Sequence, residues 1–346
     1  MRRLLALAVL LLLTAAPARA ERTVVDSAGR SVAVPDRIGR VFAAGPPASV
    51  LVYALAPDRL TGWPRALRPE ERAYIAPPYR DLPELGRLTG RGDTANLEVV
   101  LRTEPDLIVD FGSLKDTYVS LADRVQDQTG IPYLLIDGSF AATPDALRLL
   151  GGVLGVDARA GELAAYAERL LTEVDAAVAP VPEGERPRVY LARGPSGLET
   201  GLKGSINAEI LERAGGVNVA VDPSGARKGI ARLPIEQVLV WNPDAVVTWD
   251  ERFYASVDGD PFWGGVAAVQ AGRVYLSPTA PFGWIDRPPS LNRLIGLAWL
   301  ANLLHPDRFP LDLRKETRTF YRLFYQVEPS ESDLDALLAG AKGKAP

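Results

Sequence analysis

The chain has 346 residues, with 39 lysines and arginines against 43 aspartates and glutamates, a formal net charge of −4, one histidine and no cysteine. The lack of cysteine excludes disulfides, thiolate metal sites and cysteine nucleophiles together. The acidic balance argues against nucleic acid or an anionic membrane as the main partner, and the length suffices for two ordinary domains.

Met1-Arg2-Arg3, the apolar run 4–13 and the small-x-small triplet Ala18-Arg19-Ala20 predict a secretory signal peptide over residues 1–20. The run is too short to span a bilayer. No cysteine follows it, so no lipid-anchored form is expected. Removing it takes Arg2, Arg3 and Arg19 and leaves the remainder more acidic.

Residues 23–35 read as a hairpin around Asp26-Ser27-Ala28-Gly29. A strand at 40–44 breaks at Gly45-Pro46-Pro47, and Ser49 opens a helix. Residues 60–63 form another short strand, which empties into a polar loop over 64–82. Helix 114–128 and strand 132–136 follow. Thr143-Pro144-Asp145 is a helix start, with proline at the first helical position. Gly151-Gly152 and Gly155 interrupt that helical region. From 158 to 178 one stripe of Leu163, Tyr166, Ala167, Leu170, Leu171, Val174 and Val178 predicts a long helix. It ends in a Pro/Gly/Glu segment that is the best boundary in the chain.

The second half repeats the first in outline. Leu97-Glu98-Val99-Val100-Leu101 with Pro105-Asp106-Leu107-Ile108-Val109 returns as Ile235-Glu236-Gln237-Val238-Leu239 with Pro243-Asp244-Ala245-Val246-Val247. Each copy is a short helix, a Pro-Asp stop and a buried strand. Strands at 188–192 and 273–277 and helices at 208–214, 290–304, 311–325 and 330–339 complete the pattern. The expected fold is α/β: two Rossmann-like lobes with mainly parallel sheets, bridged by one long α-helix. The lobes span 21–142 and 183–346, with the interlobe helix and linker at 143–182.

Catalytic signatures are lacking. His305 ends an apolar helix, where the dipole favours it. No G-x-S-x-G elbow, dinucleotide fingerprint or Walker loop occurs. Gly194-Pro195-Ser196-Gly197 follows a strand but has proline where amides are needed to cradle phosphate. One histidine and no cysteine cannot build a bare Zn²⁺ or Mn²⁺ site, so a metal would arrive as part of a ligand and no cofactor is expected. In an open α/β sheet, ligands sit beyond the carboxyl ends of the strands. Loops there carry Trp63, Trp249 and Trp284 with Arg65, Arg193 and Arg287, a set suited to an anion or an aromatic chelate. Pro46, Pro47, Ser49, Ser113 and Ser196 complete the candidate ligand site. The alternative class is an enzyme on the same two-lobe fold.

The signal peptide, Val25-Asp26-Ser27-Ala28-Gly29-Arg30, Asn96-Leu97-Glu98, the long helix, Ala214-Gly215-Gly216-Val217-Asn218 and both Pro-Asp copies together resemble periplasmic substrate-binding proteins of ABC importers. The resemblance is to the class whose two lobes are joined by a rigid helix. It implies a monomer in the periplasm, partnered by an inner-membrane permease and ATPase complex. It also implies little lobe closure, and permease docking through one glutamate per lobe, here Glu98 and Glu236. The segment 281–300 is similar to a subgroup taking iron chelates or molybdate and tungstate. An iron-siderophore-type chelate is the first expected ligand, a small oxyanion the alternative.

Overall fold

The computed structural model describes residues 20–90, 97–222 and 229–344. Residues 1–19 of the expected signal peptide, the Arg91-Gly92-Asp93 tripeptide and Asn96 lie outside them.

Strands β1 (Glu21–Val25) and β2 (Ser31–Pro35) form the antiparallel hairpin. Asp26 explains its sequence motif. One carboxylate oxygen accepts the Ala28 and Arg30 amides, which closes the turn. The other accepts the Leu135 amide, and Arg30 donates to the Tyr133 carbonyl, so the turn is riveted to the first lobe.

That lobe is a parallel sheet of β3 (Val41–Ala43), β4 (Leu107–Gly112) and β5 (Tyr133–Asp137), with β4 central. Helix α1 (Pro46–Leu55) starts at Pro46 rather than Ser49, with proline tolerated where the amides have no helical partner. Residues 60–63 make only isolated bridges, Val41 to Leu60 and Trp63 to Glu84. A short helix, α2 (Pro69–Arg72), interrupts the polar loop, and α3 (Leu97–Arg102) is the first repeated helix. Helix α4 (Asp116–Thr129) covers the sheet, and Gly130 ends it in the left-handed region at φ 70°.

Helix α5 (Thr143–Leu154) runs straight through Gly151-Gly152 and stops only at Gly155. Packing overrides the glycine signal. A Cβ on Gly151 would lie 2.2 Å from the Ala160 Cβ, so glycine allows α5 to approach α6 (Asp157–Val178) closely. All seven predicted stripe residues of the 22-residue α6 are buried.

In the second half, β6 (Arg188–Ala192), β8 (Val217–Asn218), β10 (Ala245–Thr248) and β11 (Val274–Leu276) form a parallel sheet in the order β11-β10-β6-β8. An antiparallel ribbon, β7 (Glu199–Gly201) with β9 (Ile230–Arg232), lies beside it. Helix α7 (Glu209–Arg213) precedes β8, and α8 (Ile235–Trp241) is the second repeated helix, leading to β10 as α3 leads to β4. Short helices α9 (Glu251–Ser256) and α10 (Ala267–Gln270) follow. Helix α11 (Arg293–Leu304) ends at His305, whose Nε2 lies 3.1 Å from the Gly215 carbonyl. Helix α12 (Leu313–Phe320) widens into a π turn over Tyr321–Tyr325, and α13 (Glu331–Leu338) begins at a Ser330 capping box.

One continuous apolar core joins the halves. It holds Val41 and Val109 from the first sheet, Val189, Leu191 and Val247 from the second, the stripe of α6, and Leu294 and Ala298 of α11. The other face of each sheet carries a separate cluster, around Ile108 and Val125 in one lobe and Tyr190 and Trp263 in the other.

Polar contacts cross between the halves as well. The Ser290 hydroxyl donates to the Pro47 carbonyl at 2.7 Å, and the Tyr53 hydroxyl to the Tyr325 carbonyl at 2.7 Å. Arg293, 2% exposed, donates to the Gly138 carbonyl and to Glu209, and lies 4.3 Å from the Phe140 ring. Glu209 in turn accepts the Phe140 amide. With this much buried contact between the halves, a large swing of one against the other would break paired buried groups.

Candidate functional site

The loops beyond the carboxyl ends of the strands bring together only part of the expected ligand set. Trp63 is 1% exposed, packs on Tyr53 and Phe282, and donates its indole N–H to the Tyr79 carbonyl. Trp284 is 0% exposed, packs edge-on to Trp299 and donates to the Tyr321 hydroxyl. Both are core residues with satisfied polar ends, so neither offers an indole face to a ligand. Ser49 is buried and donates to the Pro46 carbonyl, which locks the start of α1. Pro46 and Pro47 are half-buried there, with the Pro47 carbonyl taken by Ser290. Ser113 is half-buried after β4, and its oxygen accepts the Lys115 amide at 3.4 Å. Ser196 is exposed, and its carbonyl takes the Trp263 indole N–H.

Trp249, Arg193 and Arg287 do meet. Trp249 follows β10 and Arg193 follows β6, so adjacent strands deliver them side by side. The Arg287 guanidinium lies 4.2 Å from the centre of the Trp249 ring, and Arg193 lies 5.4 Å from it. Each guanidinium is attracted to the indole through the ring's π electrons. Arg193 is also ion-paired with Asp286, both of them buried, and Asn207 donates to the same carboxylate at 3.3 Å. The neighbours Asp286 and Arg287 thus diverge. The acid turns inward to neutralise Arg193, while Arg287 lies over Trp249, and among the described residues no carboxylate closes an ion pair with it.

Arg65 and Arg68, in the stretch expected as a polar loop, lie near enough to Arg287 for their charges to act on it. Both grip Glu71, which is 1% exposed. The signal was present in Arg68-Pro69-Glu70-Glu71: the Glu71 side chain accepts the Arg68 amide, and the Glu71 amide donates to the Arg68 carbonyl. The Arg65 and Arg68 segment is anchored by Trp63 against Phe282, whose ring centres lie 6.0 Å apart. Phe282 begins the loop that ends in Arg287. Burial pushes the Arg287 guanidinium below its ordinary pKa, and the positive charges of Arg68 and Arg65 push it further the same way. Asp250 and Glu71 oppose that shift without cancelling it, so an anion beside Arg287 would find a guanidinium in a net positive field.

The expected docking glutamates lie on the repeated helices, Glu98 on α3 and Glu236 on α8, and both are exposed. Among the described residues no helix is long and apolar enough to cross a membrane.

Two lobes of parallel sheet on a shared core, with arginines and Trp249 at their strand ends, form a frame that could hold a small solute at the strand-end loops. A family model described as "Periplasmic binding protein" matches residues 49–281, and the chain belongs to that family. Helices and strands superpose on an ABC transporter solute binding protein from Sulfurospirillum deleyianum with a TM-score of 0.82, at 31% identity over 92% of this chain and 99% of the other. The molybdate-binding protein MolA of Haemophilus influenzae is 27% identical over 341 residues, covering 90% of this chain and 92% of its own. The structure of MolA bound to molybdate shares the fold at a TM-score of 0.71 and 22% identity, over 89% of this chain and 99% of that one.

Proposed function

We propose that this protein is the solute-binding component of an ABC importer and captures a compact, doubly charged oxyanion of the molybdate and tungstate class. It delivers that ion from the periplasm to a permease and ATPase complex, docking through Glu98 and Glu236. The observation that carries the reading is Arg287, whose guanidinium lies over the Trp249 ring with no carboxylate in an ion pair with it among the described residues, in the field of Arg68 and Arg65. The relationship to a molybdate-binding protein over nearly the whole length points the same way.

An iron-siderophore-type chelate, the first expectation from sequence, needed aromatic walls. With Trp63 and Trp284 in the core, one indole of the three is left, and its face is occupied by guanidinium groups. A planar chelate therefore loses most of its stacking surface, while an oxyanion keeps its cations.

The test is a thermal-shift screen against molybdate, tungstate, sulfate, ferric siderophores and haem. A ligand at a thousandfold excess over its Kd stabilises the protein by about 4 kcal/mol. Molybdate and tungstate raising the melting temperature above all others is the expected result. A shift with a ferric siderophore or haem and none with the oxyanions would return the chelate reading to first place.

A further inference from the structure

We propose that Glu71 is the positioning residue of the anion site: it holds Arg65 and Arg68 as a paired cationic jaw opposite Arg287, and the two jaws together select a doubly charged over a singly charged anion of the same shape. This rests on the oxyanion reading above.

Glu71 is placed to organise rather than to bind. Its side chain is 1% exposed, whereas those of Arg65 and Arg68 are 53% and 48% exposed. Both of its oxygens are taken. Arg65 donates through Nη1 to Oε2 at 2.8 Å and through Nη2 to Oε1 at 2.5 Å. Arg68 donates its Nε to Oε1 and its backbone amide to Oε2, each at 2.8 Å. One buried carboxylate thus serves two guanidiniums, with the other faces of both arginines open to solvent.

Burial alone pushes the Glu71 carboxyl up, but the Arg65 and Arg68 contacts outweigh it and leave the group below its ordinary pKa, so the acid is charged at neutral pH. The other nearby acids, Glu70 and Glu84, lie at the surface. Glu70 reaches the Arg68 Nε at 3.3 Å but is itself 57% exposed, so water screens the pair. Glu84 accepts the Ala66 amide.

The jaw is also fixed in place relative to Arg287. Pro69 and the two bonds between the Arg68 backbone and Glu71 set the Arg68 turn, and the buried Trp63–Phe282 contact ties this loop to the one carrying Arg287. Without an anion, Arg287 sits in the positive field of Arg68 and Arg65. A dianion relieves this on both sides at once, and a monoanion does so only in part.

The test is titration calorimetry of the purified protein with molybdate, a tetrahedral dianion, and perrhenate, a tetrahedral monoanion, at one ionic strength. The parent protein is expected to favour molybdate by roughly tenfold or more. Glu71→Gln keeps the shape but removes the charge that gathers the arginines. It is expected to weaken molybdate by roughly tenfold and to pull the molybdate-to-perrhenate ratio toward one. A residue that only opposed the ligand's charge would give the opposite sign, tighter molybdate binding in Glu71→Gln. That result, or unchanged affinity and ratio, overturns the positioning role while leaving the oxyanion reading intact. Absence of molybdate binding in the parent protein overturns both. If Glu71→Gln does not fold, the half-exposed Arg65→Gln and Arg68→Gln give the same readout, and an unchanged ratio in both overturns the proposal.

Discussion

Asp106 and Asp244 hold the same place in the two lobes. Each follows the proline that stops a repeated helix, and each turns its carboxylate to the start of the neighbouring strand. Asp106 accepts the amides of Gly39 and Arg40, and Asp244 accepts the amide of Arg188. Their own amides donate back to the Arg40 and Arg188 carbonyls. The duplicated Pro-Asp is therefore a strand-starting clasp. The residue two before each aspartate adopts positive φ, Glu104 at 43° and Asn242 at 40°, to bring the chain round.

The clasps predict unequal losses. Asp106 is buried and serves two amides, so Asp106→Ala should destabilise by about 2–3 kcal/mol. Asp244 is exposed and serves one, so Asp244→Ala should cost about 1 kcal/mol. Urea denaturation of the two variants checks the order, and an equal or reversed pair of losses would contradict it.

Asp110 predicts a pH dependence. Burial pushes its carboxyl from 3.8 up to about 6, against the opposing pull of the Thr89 hydroxyl, the Phe111 amide and the Tyr133 hydroxyl. The folded state thus holds the proton more tightly than the unfolded one. This group's favourable contribution is complete below about pH 4 and is lost as the pH rises through 6. At neutral pH the ionised group opposes folding by on the order of 2–3 kcal/mol. Asp110→Asn should therefore raise the melting temperature at pH 7.5 and change it little at pH 4. Equal shifts at both pH values would refute the assignment.

The tryptophans should separate by readout. Trp63→Ala opens a cavity in the core and should lose about 3–5 kcal/mol of stability. Trp249→Ala should lose far less stability but weaken anion binding, because it removes the surface that orients Arg287. Anion-induced fluorescence quenching should vanish in Trp249→Phe and persist in the other indole variants that fold. Quenching retained in Trp249→Phe would place the ligand elsewhere.

Glu98→Ala with Glu236→Ala should leave oxyanion affinity in solution unchanged and abolish uptake in cells that depend on this importer. Both side chains are exposed on short helices of their lobes, away from the buried contacts. Normal uptake by the double variant would remove the docking role.

Much of the fold was legible because its signals are local. The period-three-and-four stripe from Leu163 to Val178 lies buried as expected, and the duplicated helix and strand occupy equivalent places, leading to the inner strands β4 and β10. Signals that depend on partners far along the chain misled. Gly151-Gly152 looked like a break until Ala160 supplied the reason for glycine. Trp63 and Trp284 lie in strand-end loops like Trp249, and nothing local says that Phe282 and Trp299 will cover them. Glu71 was hidden for the same cause: its importance comes from Arg65 and Arg68 converging on it, inside a stretch with no periodicity.

The central claim is that Arg287, laid on Trp249, binds the transported anion. Titration calorimetry with molybdate tests it most directly. One molybdate should bind per molecule, Arg287→Ala should weaken it by about 10–100-fold, and Arg287→Lys should not restore it, since an ammonium lacks the planar fork that stacks and chelates. Binding by the parent protein that is unaltered in Arg287→Ala would contradict the account.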